Sequence, residues 1–234
     1  MYSLLVPAAG EGARLGSSLP KAFVPIEVGG INQTIIEWAL DPFHSDAECE
    51  RIVVAVPNEL IDSTTELLER FQKVSVVGGG ATRQDSVRLA LHFLQHCLGG
   101  RDEEIVLVHD AARCAVSPLV ICEVVSAVLS GGAATAAVKV VDALVNVNES
   151  SEIVAEIPRE TVWGVQTPQG FLIRDLSTAH EDAVRSGVTA LDDASLVRRL
   201  RDVVVVSGSQ SNIKVTYPGD IATVSQALLV RMGR

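Results

Sequence analysis

A glycine-rich loop near the start of the chain carries the residues best suited to chemistry. It follows a short apolar run and contains Pro7, Ala8, Ala9, Gly10, Glu11 and Gly12. Glycines let the backbone come close to a ligand, and the N–H groups of such a loop can surround a phosphate. Arg14 and Lys21 add positive charge to the same segment. The loop is therefore predicted to bind a phosphorylated substrate, in preference to forming an ordinary turn after a strand.

Two well-known phosphate-binding loops do not fit the spacing of these residues. A P-loop ends in Gly-Lys followed by Ser or Thr, whereas Lys21 follows Pro20 in this chain. The dinucleotide fingerprint requires G-x-G-x-x-G, and Gly10, Gly12 and Gly16 are spaced one residue too long. The spacing argues against a P-loop nucleotidase and against a nicotinamide-dependent dehydrogenase.

Two later segments also place polar residues where a ligand would meet them. Gly79 and Gly80 end the third apolar run, and Arg83 and Ser86 follow shortly after. Asp110 lies just beyond the fourth apolar run, and a carboxylate at such a position suits a magnesium ion or a hydroxyl group. The alternatives are that the residues around Ser86 simply open a helix and that Asp110 caps the next turn.

The elements that would position these residues alternate between short apolar runs and helical patterns. Buried strands are predicted at 4–6, 52–56, 74–77, 105–108 and 133–141. Helices are predicted at 34–40, 58–71, 84–97 and from Pro118 onward, with N-caps at Thr34, Asn58 and Ser117. This alternation of strands and helices predicts an α/β fold with a Rossmann-like, doubly wound and mostly parallel sheet.

Such a sheet binds ligands outside the carboxyl ends of its strands. The loops after Val6, Val77 and Val108 are therefore expected to meet in one crevice. Asp192 and Asp193 precede Ala194 and are suited to cap a further helix.

The stretch at about 142–163 breaks the alternation and is predicted to form a protruding β-hairpin arm. Its apolar positions lie on either side of the polar turn 148–152. Because an isolated hairpin is only marginally stable, we expect the arm to pack on a second subunit of a homodimer. The remainder is expected to form one domain, so that a single domain spans residues 1–234.

Composition limits the possible partners of the chain. Hydrophobic residues make up 47% of the 234 residues, which excludes general disorder, and the formal net charge of −10 argues against a nucleic-acid partner. The four cysteines have no zinc-ligand spacing.

No signal peptide or long apolar span is apparent, so we expect no membrane association and a cytoplasmic location. His92 and His96 are interpreted as surface residues of a helix.

Several motifs in one order resemble a known family. The first loop, with Pro20 and Lys21, resembles that of the sugar-phosphate nucleotidyltransferases. The other motifs are 108–113 (VHDAAR), 166–171 (QTPQGF), 192–195 (DDAS) and 212–216 (NIKVT). Together they resemble 2-C-methyl-D-erythritol 4-phosphate cytidylyltransferases, which use CTP in non-mevalonate isoprenoid biosynthesis. The likeness extends over nearly the whole chain.

The resemblance implies a role for each group of residues. Arg14 and Lys21 would be catalytic, stabilising charge at the α-phosphate, as nucleotidyl transfer requires. Asp110, Thr167, Arg159 and Lys214 would bind the acceptor, with Arg159 reaching the neighbouring subunit's site and Asp110 also near Mg²⁺. The nucleotide would be bound by the first loop and by Gly79, Gly80, Arg83, Ser86, Ala111 and Arg113.

Two positions depart from the family and concern the acceptor end of its site. The family usually has threonine where this chain has Ala143 and Leu191. The nearest alternative is a ribitol 5-phosphate cytidylyltransferase, although the first loop and Ala112 favour the methylerythritol enzyme. A second alternative is a CTP-binding module without turnover, against which the retained acceptor-side charges argue.

Overall fold

The computed structural model describes residues 1–10 and 19–233, in which a central β-sheet is flanked by helices. The strands are β1 (Tyr2–Pro7), β2 (Pro25–Val28), β3 (Ile31–Thr34), β4 (Cys49–Val56), β5 (Val74–Gly78), β6 (Ile105–Val108), β7 (Ala133–Lys139), β8 (Leu144–Val147), β9 (Ile153–Ile157), β10 (Trp163–Leu172) and β11 (Val204–Ser207). The helices are α1 (Ile35–His44), α2 (Ile61–Leu67), α3 (Arg83–Leu98), α4 (Pro118–Gly131), α5 (Ile173–Ser186), α6 (Asp193–Val197) and α7 (Asp220–Arg231).

Seven strands form the main sheet in the order β11-β7-β10-β6-β1-β4-β5. All neighbouring strands are parallel except β10, which runs antiparallel to both β6 and β7. The predicted doubly wound, mostly parallel sheet is therefore confirmed. The antiparallel strand β10 and the small β2–β3 hairpin were not anticipated.

The central strands β1, β4 and β6 are buried on both faces, as is usual for a parallel sheet with helical crossovers. Alternate residues of β1 serve different cores: Leu4 and Val6 pack in the cluster on one face, and Leu5 packs in the cluster on the other. The same alternation separates Ile52 from Val53 in β4. This double burial explains why the strands read as continuous apolar runs in the sequence.

Local capping sets several helix starts. The Thr34 side chain accepts a hydrogen bond from the Glu37 N–H, and the Glu37 carboxylate accepts one from the Thr34 N–H at 2.8 Å, which completes a capping box. Ser117 caps α4 and Asp192 caps α6, as predicted. The prediction for Asn58 is wrong, because a 3₁₀ turn begins there with the Leu60 N–H bonded to the Pro57 carbonyl, and α2 starts only at Ile61.

The predicted hairpin arm is present as the antiparallel pair β8 and β9. The Asn148 side chain closes its turn by accepting hydrogen bonds from the N–H groups of Ser150 and Glu152, at 3.0 and 2.9 Å. Val147, Ile153 and Val154 are 56%, 68% and 60% exposed, so the arm leaves apolar surface open to solvent in the single chain. Its role in dimerisation stays a prediction.

Strand β10 continues from the arm into the main sheet and contains a register shift. Residues 163–165 pair with β7 in one register and residues 169–171 in another. The segment between them contains Gln166 and Thr167, both buried. The Gln166 side chain donates to the Ser209 carbonyl at 2.9 Å, and the Thr167 carbonyl accepts from the Asn212 side chain at 2.8 Å. The irregular segment therefore carries polar groups toward the carboxyl ends of the parallel strands.

Among the described residues, no helix combines the length and the apolar character needed to cross a membrane.

Candidate active site

A cavity opens at the carboxyl ends of the central strands, where the sequence predicted a crevice. It is lined by the loops after β1, β5 and β6 and by one side chain from the C-terminal part. The predicted residues found in this lining are Pro7, Ala8, Ala9, Gly10, Lys21, Gly80, Arg83, Ser86, Asp110, Ala111 and Lys214. The expected convergence of the three loops is therefore confirmed. Glu11, Gly12 and Arg14 lie outside the described residues.

Close packing between two loops fixes one wall of this first cavity. A Cβ atom at Gly79 would lie 2.8 Å from the Ala9 Cβ and 3.0 Å from the Ser86 Oγ, so a side chain there would force the loops apart. The buried Ser86 hydroxyl donates to the Thr82 carbonyl at 2.9 Å and accepts from the Gly80 N–H at 3.1 Å. Ser86 thus lies in the first turn of α3 and holds the loop beside the cavity, so this segment does open a helix, and its part in nucleotide binding stays a prediction.

A second cavity adjoins the first and shares part of its wall. Arg83, Asp110 and Lys214 line both cavities. The remaining lining of the second cavity is formed by Arg113, Val165, Gln166, Thr167, Gln169, Leu191 and Asp192. Two ligands bound side by side would therefore meet at the same three charged residues.

Asp110 is the centre of this shared wall. Its Oδ1 atom accepts from Arg83 Nε at 2.9 Å, and its Oδ2 atom accepts from Lys214 Nζ at 2.8 Å. Burial alone would raise the pKa of Asp110, but the charges of Arg83 and Lys214 outweigh it and hold the pKa well below its usual range. Asp110 is therefore an anion that keeps two cations in place, and it is poorly suited to accept a proton.

A buried histidine fixes the backbone of Asp110. Burial lowers the pKa of His109 to about 4. Its Nε2 atom lies 3.0 Å from the Arg113 carbonyl, which can only accept, so this nitrogen carries the proton of the neutral ring. Nδ1 then accepts from the Thr167 hydroxyl at 3.0 Å, and the same hydroxyl oxygen accepts from the Asp110 N–H at 3.0 Å. Thr167 lines the second cavity, but its hydroxyl already has both partners within the protein.

Lowering the pH from 7 to 5 is expected to destabilise the parent protein more than a His109→Gln variant. The native imidazole stays neutral until the pH approaches 4, whereas the unfolded imidazole binds a proton near pH 6.5. The contribution of His109 to the free energy of unfolding is therefore fully present above about pH 6.5 and decreases as the pH falls toward 4. The loss is about 2 kcal/mol between pH 7 and 5. Urea unfolding at both pH values measures it, and equal pH slopes in the two proteins would contradict a buried neutral ring.

Arg113 lies at the second cavity and does not line the first, although its predicted role was in nucleotide binding. Its guanidinium donates to the Asn212 carbonyl at 2.8 Å and to the Val165 carbonyl at 3.3 Å. Burial lowers the pKa of Arg113, with Asp110 acting in the opposite direction. These contacts connect β6 to the C-terminal segment and to β10 beside the cavity.

The structure does not bring all of the predicted acceptor residues together. Arg159 and Ala143 both belong to the arm region, where Arg159 donates to the Val141 carbonyl at 3.1 Å, and neither lines the two cavities of the single chain. Leu191, in contrast, lines the second cavity and is 96% exposed. Of the two departures from the family pattern, only Leu191 is therefore placed at this chain's own cavity.

Gln169 was missed as part of the site. Its side chain donates to Asp192 Oδ2 at 2.9 Å and accepts from the Ala194 N–H at 2.9 Å, which joins β10 to the start of α6. Gln169 belongs to the motif at 166–171. The feature of the sequence that indicates its role is the presence of several polar residues within an otherwise apolar strand. Thr167 and Gln169 are buried in this irregular part of β10. Their hydrogen bonds to Asp110 and to Asp192 hold those residues beside the second cavity.

The doubly wound sheet and its crevice, lined by glycine-rich backbone and by Lys and Arg side chains, place this chain among the α/β enzymes that bind phosphorylated ligands. Comparison with known proteins narrows this class to nucleotidyltransferases. Residues 2–231 match the family model described as "IspD: 2-C-methyl-D-erythritol 4-phosphate cytidylyltransferase". The chain belongs to this family, and the resemblance inferred from its motifs is confirmed.

Relatives and solved structures agree with this membership. The 2-C-methyl-D-erythritol 4-phosphate cytidylyltransferase of Bacillus cytotoxicus is 37% identical to the chain, with 99% of each protein covered. The crystal structure of the enzyme of the same name from Thermus thermophilus is similar with a TM-score of 0.75 at 35% identity, covering 97% of each chain. The structure of 4-diphosphocytidyl-2C-methyl-D-erythritol synthase from Anaerococcus prevotii is similar with a TM-score of 0.82 at 26% identity, covering 97% of this chain and 96% of that one.

Proposed function

We propose that this chain transfers a cytidylyl group from CTP to 2-C-methyl-D-erythritol 4-phosphate, giving 4-diphosphocytidyl-2-C-methyl-D-erythritol and pyrophosphate. The observation that carries the proposal is the pair of adjoining cavities that share Arg83, Asp110 and Lys214. Family membership supports the choice of these two substrates. The nucleotide would occupy the first cavity and the polyol phosphate the second.

The chemistry requires one bond to form and one to break. An oxygen of the acceptor phosphate attacks the α-phosphorus of CTP, and the bond from that phosphorus to the bridging oxygen of the β-phosphate breaks as pyrophosphate leaves. The attacking oxygen is already ionised, so no general base is needed. Asp110, whose low pKa prevents it from serving as a base near neutral pH, fits this requirement because its role is to hold Arg83 and Lys214.

Positive charge around the shared wall would bring the two anionic substrates together. Lys21 lines the first cavity, Arg113 lines the second, and Arg83 and Lys214 line both. In nucleotidyl transfer such groups stabilise the charge that develops on the phosphate oxygens. Arg14 and Lys21 are assigned this catalytic role, and Lys214 is assigned to the acceptor phosphate.

Mg²⁺ is the proposed metal. Within the described residues, no three His, Cys, Asp or Glu side chains are grouped so that they could hold a metal ion by themselves. Mg²⁺ commonly uses one or two carboxylates together with substrate phosphates and water. Each oxygen of Asp110 accepts one hydrogen bond, from Arg83 or from Lys214, and each keeps a further lone pair that would bind the ion. The donor set therefore fits Mg²⁺ bound together with the nucleotide. The ion would neutralise charge on the triphosphate oxygens.

Release of pyrophosphate tests the proposed reaction. The protein is incubated with CTP and Mg²⁺ and with either 2-C-methyl-D-erythritol 4-phosphate or ribitol 5-phosphate, and pyrophosphate is measured over time. Faster release with the methylerythritol substrate is expected, and the same assay with UTP or ATP in place of CTP tests the choice of base. Preference for ribitol 5-phosphate would overturn the proposed acceptor, and nucleotide binding without release would overturn the proposed catalysis.

Leu191→Thr is expected to lower the KM for 2-C-methyl-D-erythritol 4-phosphate by about tenfold while leaving the KM for CTP unchanged. Leu191 lines the second cavity, where the acceptor would bind, and a hydroxyl at this position would hydrogen-bond the substrate. A hydrogen bond to a charged group contributes about 1.5–3 kcal/mol, part of which water already supplies in the parent. Steady-state kinetics with each substrate varied in turn measures the change.

Ala143→Thr serves as a comparison in the same assay, because Ala143 lies outside this chain's own cavities. A reduced acceptor KM in this variant would place residue 143 at a neighbouring subunit's site. An acceptor KM that is unchanged or higher in Leu191→Thr would show that residue 191 does not bind the acceptor.

A homodimer is the proposed assembly. The arm exposes Val147, Ile153 and Val154 in the single chain, and such apolar side chains on a thin hairpin are stabilised when a second subunit covers them. The placement of Arg159 on the arm, away from the chain's own cavities, supports its assignment to the partner's site. Sedimentation at micromolar concentration measures the assembly, and an active monomer would contradict it.

A further inference from the structure

A buried acid–histidine pair lies directly behind the shared wall of the two cavities. The side chains of Asp193 on α6 and His180 on α5 are each only 1% exposed, and His180 Nε2 lies 3.0 Å from Asp193 Oδ1. Neither residue lines either of the two cavities. The pair is thus close to the site without having access to a substrate.

Arg83 connects this pair to the site. Its Nη1 atom donates to Asp193 Oδ2 at 2.7 Å, and its Nε atom donates to Asp110 Oδ1 at 2.9 Å. The guanidinium is planar and rigid, so two anchors at different nitrogen atoms fix its plane as well as its position. Loss of either anchor would leave Arg83 free to turn about the remaining hydrogen bond.

Polar contacts run through the whole connection, and opposite charges alternate in it from Asp193 to Lys214. His180 contacts Asp193, Asp193 contacts Arg83, Arg83 contacts Asp110, and Asp110 contacts Lys214. Burial would raise the pKa of Asp193, but Arg83 and the hydrogen bond from His180 lower it below its ordinary value. Asp193 is therefore ionised when Arg83 is in place, and each of its oxygens has a partner within the protein.

The start of α6 holds Asp193 in place. Asp192 caps the helix by accepting from the Ser195 N–H at 2.8 Å, and Gln169 binds both the Asp192 side chain and the Ala194 N–H. The carboxylate of Asp193 is thus attached to a segment that is itself fixed to β10, beside the acceptor cavity.

We infer that Asp193, oriented by His180, is a positioning residue for the transfer reaction. Its carboxylate holds the guanidinium of Arg83 in the orientation that contacts Asp110. In this way Asp193 fixes the position of the charged residues of the shared wall, where the two substrates would meet. This inference rests on the proposed function and deepens it. The competing explanation is that the pair only holds α5 against α6, in which case its loss would reduce stability without changing the kinetics of folded enzyme.

Asp193→Asn is the first test, with Val197→Ala as the matched control. Val197 is fully buried on the same short helix and packs in the core beneath it, so its truncation weakens α6 without touching Arg83. In folded Asp193→Asn enzyme, kcat is expected to fall at least about tenfold, because small misplacements of a charged group weaken catalysis strongly. The KM for CTP is expected to stay within about threefold. Val197→Ala is expected to lower the Tm and keep kcat.

A double-mutant cycle identifies the route of the effect. If Asp193 acts through Arg83, then Asp193→Asn adds little to the loss already caused by Arg83→Gln. Independent, multiplicative losses would overturn the inference. So would a kcat for folded Asp193→Asn equal to that of the parent.

Two substitutions at His180 keep the test informative if Asp193→Asn fails to fold. His180→Gln places an amide N–H where Nε2 donates to Asp193, and His180→Leu removes that donor. The inference requires kcat near the parent value in His180→Gln and a several-fold reduction in His180→Leu. Equal kcat in both variants would overturn it. All comparisons use pyrophosphate release by the parent as reference, so a parent without turnover would contradict the proposed function, whereas a parent with turnover and insensitive variants would contradict only this inference.

Discussion

Lys21→Ala is expected to lower kcat by about two to three orders of magnitude while CTP binding stays within about tenfold of the parent. Lys21 lines the first cavity beside the glycine-rich loop, and its assigned role is to stabilise charge at the α-phosphate in the transition state. Removal of one such preorganised charged donor typically costs a factor of about 10² to 10³ in kcat. Steady-state kinetics and equilibrium titration with CTP separate the two effects.

Lys73→Ala provides the control for this experiment. Lys73 donates to the Asp46 carbonyl at 2.7 Å and lines neither cavity, so its loss removes a lysine without altering the site. Its kcat is expected to stay within about twofold of the parent, as for most changes away from catalytic groups. If Lys21→Ala kept a normal kcat and only the KM for CTP rose, Lys21 would bind the ground state and the transition state equally well. That outcome would contradict the catalytic role.

Mixing two inactive variants is expected to restore turnover if Arg159 serves the neighbouring subunit. Arg159→Ala and Lys21→Ala are each expected to be nearly inactive as homodimers. In a heterodimer, one site would contain both substitutions and the other site would contain neither. Random reassortment would therefore give about a quarter of the parent turnover, since half of the dimers are mixed and half of their sites are intact.

The outcome of this mixing experiment separates two positions for Arg159. If Arg159 acted in its own chain's site, every site in the mixed dimer would carry one substitution and no turnover would return. A mixture of Arg159→Ala with Arg159→Ala/Lys21→Ala serves as control, because no intact site can form in it. Recovery in that control, or no recovery in the test mixture, would contradict the shared site.

The parts of the fold that could be predicted from the sequence are those fixed by nearby residues. Thr34 and Ser117 cap their helices through partners three residues away, and the strands β1, β4, β5 and β6 each contain the apolar run from which they were predicted. The meeting of the loops after β1, β5 and β6 follows from the topology of a doubly wound sheet. For this reason the position of Asp110 at the cavity could be inferred from the sequence.

The parts that could not be predicted depend on residues far apart in the chain. Arg83 and Asp193 are separated by 110 positions and Lys214 and Asp110 by 104, and no local pattern specifies such pairs. The antiparallel direction of β10 is also non-local, because it depends on the path of the chain through the arm. The motif containing Gln169 was visible in the sequence, but its contacts with the start of α6 became apparent only in the folded chain.

The register shift in β10 has a consequence for how the family can diversify. Both parts of the strand pair with β7 in the main sheet, residues 163–165 on the arm side in one register and residues 169–171 in another. Because the irregular segment between them already absorbs a change of pairing, we expect an insertion or deletion on the arm side to be accommodated there. The pairing at 169–171, and with it the placement of Gln169, would be preserved. Changes in the arm and changes around the second cavity can then accumulate independently during evolution, although the same strand β10 connects the two regions.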